Sequence, residues 1–166
     1  PDTPNVEYVD LRLSNKCNFA CRSCEPIFSS RISKESNAHN LKDYYGYSLD
    51  KNYVEHTEQI SNDIKEMIPK IKKLMFTGGE PTYIKQFYDI LDTCDTNINL
   101  LITTNASMID DKFLEYAKRF HNLHITLSID AVGKSAEYIR YGSIWKTIDQ
   151  NIQKILSVFY LPENEQ

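Results

Sequence analysis

The sequence predicts an α/β fold of repeated βα units around a parallel sheet, and two observations carry that prediction. Four strand-like stretches alternate with four helix-period stretches along the chain, the order that crossover connections produce. In the last strand, Leu123, Ile125, Leu127 and Ile129 share one face while His124, Thr126, Ser128 and Asp130 share the other. Right-handed crossovers place every helix on the same side of a sheet that winds as a barrel. The apolar face then meets the helices and the polar face lines the lumen. Packed barrels fill their lumen with branched apolar side chains, so a polar lumen points to a ligand inside. An edge strand with one wet face is the alternative.

The elements follow in order. Val6–Ser14 is the first strand, with Val9, Leu11 and Leu13 on one face. Asp10 and Arg12 lie on the other, as a mutual pair in the lumen or facing solvent. A cysteine-bearing loop comes next, then a polar stretch from Pro26 to about Asp50. Its Tyr44, Tyr45 and Tyr47 suit packing within a long loop. Val54, Ile60, Ile64, Met67 and Ile68 form one apolar stripe, which predicts a helix from about Asn52 to Ile68; Pro69 interrupts it. Leu74–Thr77 is the second strand, ending in Gly78-Gly79-Glu80-Pro81. A helix from about Tyr83 to Thr93 buries Ile84, Phe87 and Leu91. Ile98–Thr104 is the third strand, ending at Asn105, and Phe113, Leu114, Ala117 and Phe120 mark the helix after it. His124–Asp130 is the fourth strand. Ile144, Ile148, Ile152 and Ile155 predict a last helix from about Ser143 to Leu156, and Pro162–Gln166 is a polar linker.

Hydrophobic residues make up 41% of the 166 residues and charged ones 25%, the balance of one ordinary globular domain. The net charge of −4, with both signs interspersed, excludes a nucleic-acid-binding stripe and a polybasic membrane patch. No apolar run approaches the ~18–20 residues of a membrane span. Pro1–Asn5 carries neither the basic region nor the apolar core of a secretory signal, and without an initiator Met it has the form of a processed start.

Three of the four cysteines fall between positions 17 and 24. Disulfides among them would close very small loops. Such clustering points to metal or cluster ligation in a reducing, cytoplasmic compartment. Cys17, Cys21 and Cys24 have the spacing C-x3-C-x2-C directly after a strand. Three thiolates can cap three irons of a cubane, whose complete ligation needs a fourth. The remaining cysteine, Cys94, continues the buried stripe of Ile84, Phe87 and Leu91 and is a core thiol. One iron is then left open for an exogenous ligand.

On these residues the chain resembles the radical S-adenosylmethionine (SAM) superfamily, and most of all its branch with SPASM or twitch auxiliary-cluster domains. Gly78-Gly79-Glu80-Pro81 is similar to the family's GGEP element, Asn105 to its T-N pattern, and Ser128-Ile129-Asp130 to its S-[LI]-D element. Arg140 resembles the arginine that pairs with the SAM carboxylate in peptide-modifying members. The resemblance implies a [4Fe–4S] cluster on Cys17, Cys21 and Cys24, with Gly78, Gly79, Glu80, Asn105, Ser128, Asp130 and Arg140 as SAM-binding residues. It implies reductive cleavage of SAM to a 5′-deoxyadenosyl radical, which abstracts hydrogen from a peptide or small-molecule substrate. An electron donor such as flavodoxin or ferredoxin is the implied partner. The implied fold is a partial parallel (βα) barrel, a partial TIM barrel, with about four of the usual six βα units before Gln166. Residues 1–166 are then the N-terminal part of the core, without its last units or any auxiliary-cluster domain. Ser23 departs from the aromatic residue that often precedes the last cysteine.

Two other classes compete. A zinc-binding structural module would complete a tetrahedral site with His39, and an iron–sulfur electron carrier would need the cluster alone. Within the enzymes, a small-molecule member or a glycyl-radical activase is the alternative to a peptide modifier. His39 and His56 are otherwise surface residues. Gly78-Gly79 could be only a turn, Glu80 only a helix-dipole residue, and Asp130 only a turn cap.

Overall fold

The computed structural model describes residues 6–41 and 58–160. Tyr44, Tyr45, Tyr47, Val54 and His56, the first five residues and the C-terminal linker lie outside the described residues. In chain order the elements are β1 (Tyr8–Arg12), β2 (Ala20–Cys21), α1 (Ser30–Ala38), α2 (Glu58–Met67), β3 (Lys73–Thr77), α3 (Lys85–Leu91), β4 (Asn99–Thr104), α4 (Asp111–Arg119), β5 (Asn122–Leu127), α5 (Gly133–Ile139), β6 (Arg140–Tyr141) and α6 (Trp145–Phe159). Single 3₁₀ turns at Ile68–Lys70, around Pro69, and at Pro81–Tyr83 lead into β3 and α3. Among the described residues no helix is long and apolar enough to cross a membrane.

β1, β3, β4 and β5 form one parallel sheet in that order. Register places Leu11, Phe76, Ile102 and Ile125 in one row of its helix-facing side. There they join Ile64 of α2, Phe87 and Leu91 of α3, Phe113 of α4 and Ile155 of α6 in a single core. Phe76 and Phe87 meet edge-on with centroids 4.8 Å apart, the arrangement that aromatic quadrupoles prefer. Among the described residues no helix packs on the opposite face. Asp10 pairs there with Arg12 at 3.4 Å and accepts a hydrogen bond from Thr77 Oγ1 at 2.6 Å.

Among the described residues β5 lies at the edge of the sheet, and its alternation follows from that position and from a face with no helix on it. Leu123, Ile125 and Leu127 pack against the core while His124 and Thr126 are exposed. The strand stops at Leu127, so Ile129 does not extend its apolar face and is 37% exposed.

Three features depart from the sequence reading. The stretch after the cysteines contains α1, which buries only Ile32 and Ser36 and so leaves no apolar stripe. It is started instead by Ser29, whose Oγ accepts from Ile32 N. The last helix begins at Trp145 because α5 and β6 take up residues 133–141. β2 and β6 form a separate antiparallel ribbon, absent from the sequence reading, that pairs Cys21 with Arg140.

Candidate functional site

The cysteine loop leaves the C-terminal end of β1 and is tied down at many points. Ser30 N donates to Asn15 O (2.7 Å), Cys17 N to Ser30 Oγ (3.3 Å) and Ser29 Oγ to Phe19 O (2.8 Å). The start of α1 therefore fixes the loop that precedes it. Phe19 is buried against Ala106 and Ile148, with Cys17 and Cys21 partly buried beside them.

The turn after β3 locks onto this loop from the other side. Gly79 N donates to Ser14 O (3.1 Å) and Glu80 N to Lys16 O (2.9 Å). Gly78 has φ +103°, which favours glycine, and a Cβ on Gly79 would collide with the Lys16 carbonyl. Both glycines are therefore required by the backbone. With the Gly79 and Glu80 amides donated, the turn's carbonyl oxygens are what it can offer a ligand.

Glu80 is 1% exposed. Its Oε1 accepts from Thr82 N (3.3 Å), Thr82 Oγ1 (2.7 Å) and Thr104 Oγ1 (2.7 Å), and its Oε2 from Asn105 N (2.7 Å). The carboxylate thus caps the 3₁₀ turn and clamps the end of β3 to the end of β4. Burial raises its pKa, and the hydrogen bonds from Asn105, Thr104 and Thr82 oppose that shift.

Past β4 the chain turns through Ala106, a buried residue at φ +59°. Thr104 Oγ1 accepts from its amide (3.1 Å), and Asn151 Nδ2 of α6 donates to its carbonyl (2.9 Å). A left-handed alanine is sustained when its surroundings over-determine it. The turn aims Asn105 at the cysteine loop: its Nδ2 donates to Asn18 Oδ1 at 3.0 Å and approaches Cys17 Sγ at 3.9 Å.

Ser128 follows β5, its amide donating to Thr104 O (2.8 Å). Arg140 Nε lies 2.8 Å from Asp130 Oδ2, a close ion pair without a well-directed hydrogen bond. Its Nη1 lies 3.8 Å from Cys21 Sγ.

Cys17, Cys21, Cys24, Gly78, Gly79, Glu80, Asn105, Ser128 and Arg140 thus line one pocket of about 280 Å³. Of the expected site residues, Asp130 alone is absent from that lining and reaches it through Arg140. Ser23 and Phe28 also line the pocket; nothing in the sequence pattern singles out Phe28. The supports Asn18, Thr104 and Asn151 were likewise not legible beforehand.

The three thiols are free. Burial pushes Cys17 up to about 11, with the Glu80 and Cys21 charges adding and hydrogen bonds from Phe19 N and Asn105 opposing. Burial raises Cys21 and Cys24 too; the Arg140 guanidinium lowers both, and the Asp130 carboxylate raises Cys21. Donors aimed at thiol sulfurs suit thiolates bound to a cationic centre. Among the described residues no group of three His, Cys, Asp or Glu is placed to hold a single metal ion. A cubane takes each thiolate on a different iron, and three free thiols lining one pocket supply that donor set. His39, the fourth ligand of the zinc reading, is exposed at the C-terminal cap of α1.

The family model of the Radical SAM superfamily matches residues 11–160. The chain is 30% identical over 152 residues to the radical SAM cyclopropyl synthase TigE of Paramaledivibacter caminithermalis, covering 83% of this chain and 30% of that protein. It is 25% identical over 146 residues to the GTP 3′,8-cyclase of Campylobacter curvus, covering 84% of this chain and 39% of that protein. Its fold is similar to Streptococcus suis SuiB bound to precursor peptide SuiA, with TM-score 0.64, 17% identity, and coverage of 93% of this chain and 31% of SuiB. SuiB bound to S-adenosylmethionine gives TM-score 0.62 at 17% identity, covering 93% of this chain and 32% of SuiB. The chain spans about a third of the length of these relatives.

Proposed function

The chain belongs to the Radical SAM superfamily, and on that premise we propose that Cys17, Cys21 and Cys24 hold a [4Fe–4S] cluster whose open iron takes SAM. The observation that carries this reading is the single pocket that gathers three free thiols with Gly78, Gly79, Asn105, Ser128 and Arg140. Cluster and SAM together supply one-electron reductive cleavage of SAM and hydrogen abstraction from a substrate.

The residues of this chain bind and orient. Carbonyls of the Gly78–Gly79 turn would accept from the amino group of SAM. Arg140 offers the planar donor fork that suits a carboxylate, and Ser128 offers a hydroxyl to the cofactor. Glu80 works indirectly: its carboxylate holds the β3 and β4 ends together and so sets where Asn105 meets Cys17.

Likeness in fold to SuiB, which is bound to its precursor peptide in one of its structures, favours a peptide substrate. Sequence similarity to GTP 3′,8-cyclase favours a small molecule as the second reading. Free thiols on a cluster-binding loop would suit the reducing cytoplasm, and an electron donor such as flavodoxin or ferredoxin would reduce the cluster.

Anaerobic reconstitution followed by calorimetric titration with SAM tests the proposal. The expected outcome is four irons and four sulfides per chain, with saturable SAM binding that disappears in the metal-free protein. Zinc uptake in place of iron, or SAM binding that is indifferent to the cluster, would overturn it.

A further inference from the structure

We infer that Arg140 and Asp130 tune the reduction potential of the cluster on the cysteine loop in opposite senses, Arg140 raising it and Asp130 lowering it. The inference rests on the cluster reading above and adds a role for both residues that needs no SAM.

Arg140 is placed against Cys21 by backbone as well as by side chain. Cys21 and Arg140 are register partners in the β2–β6 ribbon. Next to them Arg22 N donates to Ile139 O at 2.8 Å, and Arg22 Nε donates to Tyr138 O at 3.0 Å. The ribbon therefore holds the Arg140 backbone beside Cys21, within reach of its guanidinium. Its Nη1 stands 3.8 Å from Cys21 Sγ, and its side chain is only 17% exposed. A charge so enclosed is screened far less by salt than one in open solvent.

Reducing a cluster adds one negative charge, shared between the irons and their sulfurs. A cation beside a ligand sulfur stabilises the reduced form more than the oxidised one and raises the potential. Hydrogen bonds to the sulfurs act in the same sense. Asp130 Oδ2, 2.8 Å from Arg140 Nε, places an anion behind that cation. It offsets part of the cation's field and draws the guanidinium toward itself. Removing Asp130 therefore raises the potential through both effects, and removing Arg140 lowers it. A residue that only holds the loop in shape has no reason to produce shifts of opposite sign.

Redox titration of the reconstituted intact protein, without SAM and followed by the electron paramagnetic resonance of the reduced cluster, provides the test. Arg140→Gln is expected to move the midpoint to more negative potential and Arg140→Lys to a value between Gln and wild type. Asp130→Asn is expected to move it to more positive potential. Lys118→Gln removes one exposed charge near the far end of β5 and is expected to leave it in place. If Arg140→Gln fails to load a cluster, the Lys and Asn variants still decide the sign. Shifts in the same direction for Arg140→Lys and Asp130→Asn, or none in either, overturn the inference and leave the cluster reading standing. A wild type that takes up no iron overturns both.

Discussion

At the N-terminal ends of the strands, Ile71, Lys72, Ile98 and Asn99 line a broad cleft of about 810 Å³ with Cys94 in its wall. At the C-terminal ends, a pocket of about 280 Å³ gathers three cysteines, two glycines, Asn105, Ser128 and Arg140. The larger cleft is held by backbone bonds between successive connections, such as Asn99 N to Lys72 O and His121 N to Thr96 O. The smaller one is held by side chains brought from distant parts of the chain: Glu80, Asn105, Asn18 and Asn151. The proposed site is therefore not the larger of the two clefts. Convergent chemistry on an over-determined backbone marks it, at the strand edge where parallel α/β folds place their ligands.

The comparison breaks most sharply at the cysteines. Alanine at Cys17, Cys21 or Cys24 is expected to abolish the reconstituted cluster, read as iron and sulfide per chain. Cys94→Ala at the other end is expected to leave it intact. A cluster that survives Cys21→Ala but not Cys94→Ala would reverse the assignment.

Alkylation sharpens it, because thiol acidity alone does not separate the two ends. Burial pushes both Cys17 and Cys94 up to about 11 in the metal-free protein. The thiolate is the nucleophile, so a raised pKa leaves less of it at pH 8. Both residues are expected to react with iodoacetamide on the order of a hundredfold more slowly than an open cysteine thiol. Both rates should climb as pH approaches 11. After reconstitution Cys17 should stop reacting while Cys94 keeps its rate, as peptide mapping by mass spectrometry can show.

Arg140→Ala is expected to weaken SAM binding to the reconstituted protein by about ten- to hundredfold, the loss of one charge-assisted contact, with Lys recovering it in part. Cluster content should stay unchanged. Calorimetry on wild type and both variants reads it, and equal affinities in all three would remove Arg140 from the cofactor contacts.

How much of this was legible in the sequence differs between the same two ends. The strands announce themselves because a sheet with helices on one side leaves one-sided alternation, as in Leu123 to Leu127. The cysteine spacing and the glycine pair are local signals with local causes. Arg140 was legible as a residue type, but its position was not. Its pairing with Cys21 spans 119 residues, and nothing near either residue encodes it. Glu80 was legible as a motif member, whereas its clamp on Asn105 depends on how two neighbouring strands end. α1 stayed hidden because it buries so little.

Glu80→Gln probes that clamp through stability rather than binding. An amide cannot accept from Asn105 N and from both threonines at once, so one buried donor loses its partner. The expected cost is about 1.5–3 kcal/mol of stability, measured as a lower urea midpoint at unchanged slope. An unchanged midpoint would show that the carboxylate is not what joins β3 to β4.

The most direct test of the central claim is the electron paramagnetic resonance spectrum of the dithionite-reduced, reconstituted protein before and after SAM is added. An open iron in the pocket of Cys17, Cys21 and Cys24 predicts a [4Fe–4S] signal whose shape changes with SAM and reverts when SAM is removed. A cluster signal indifferent to saturating SAM would contradict it.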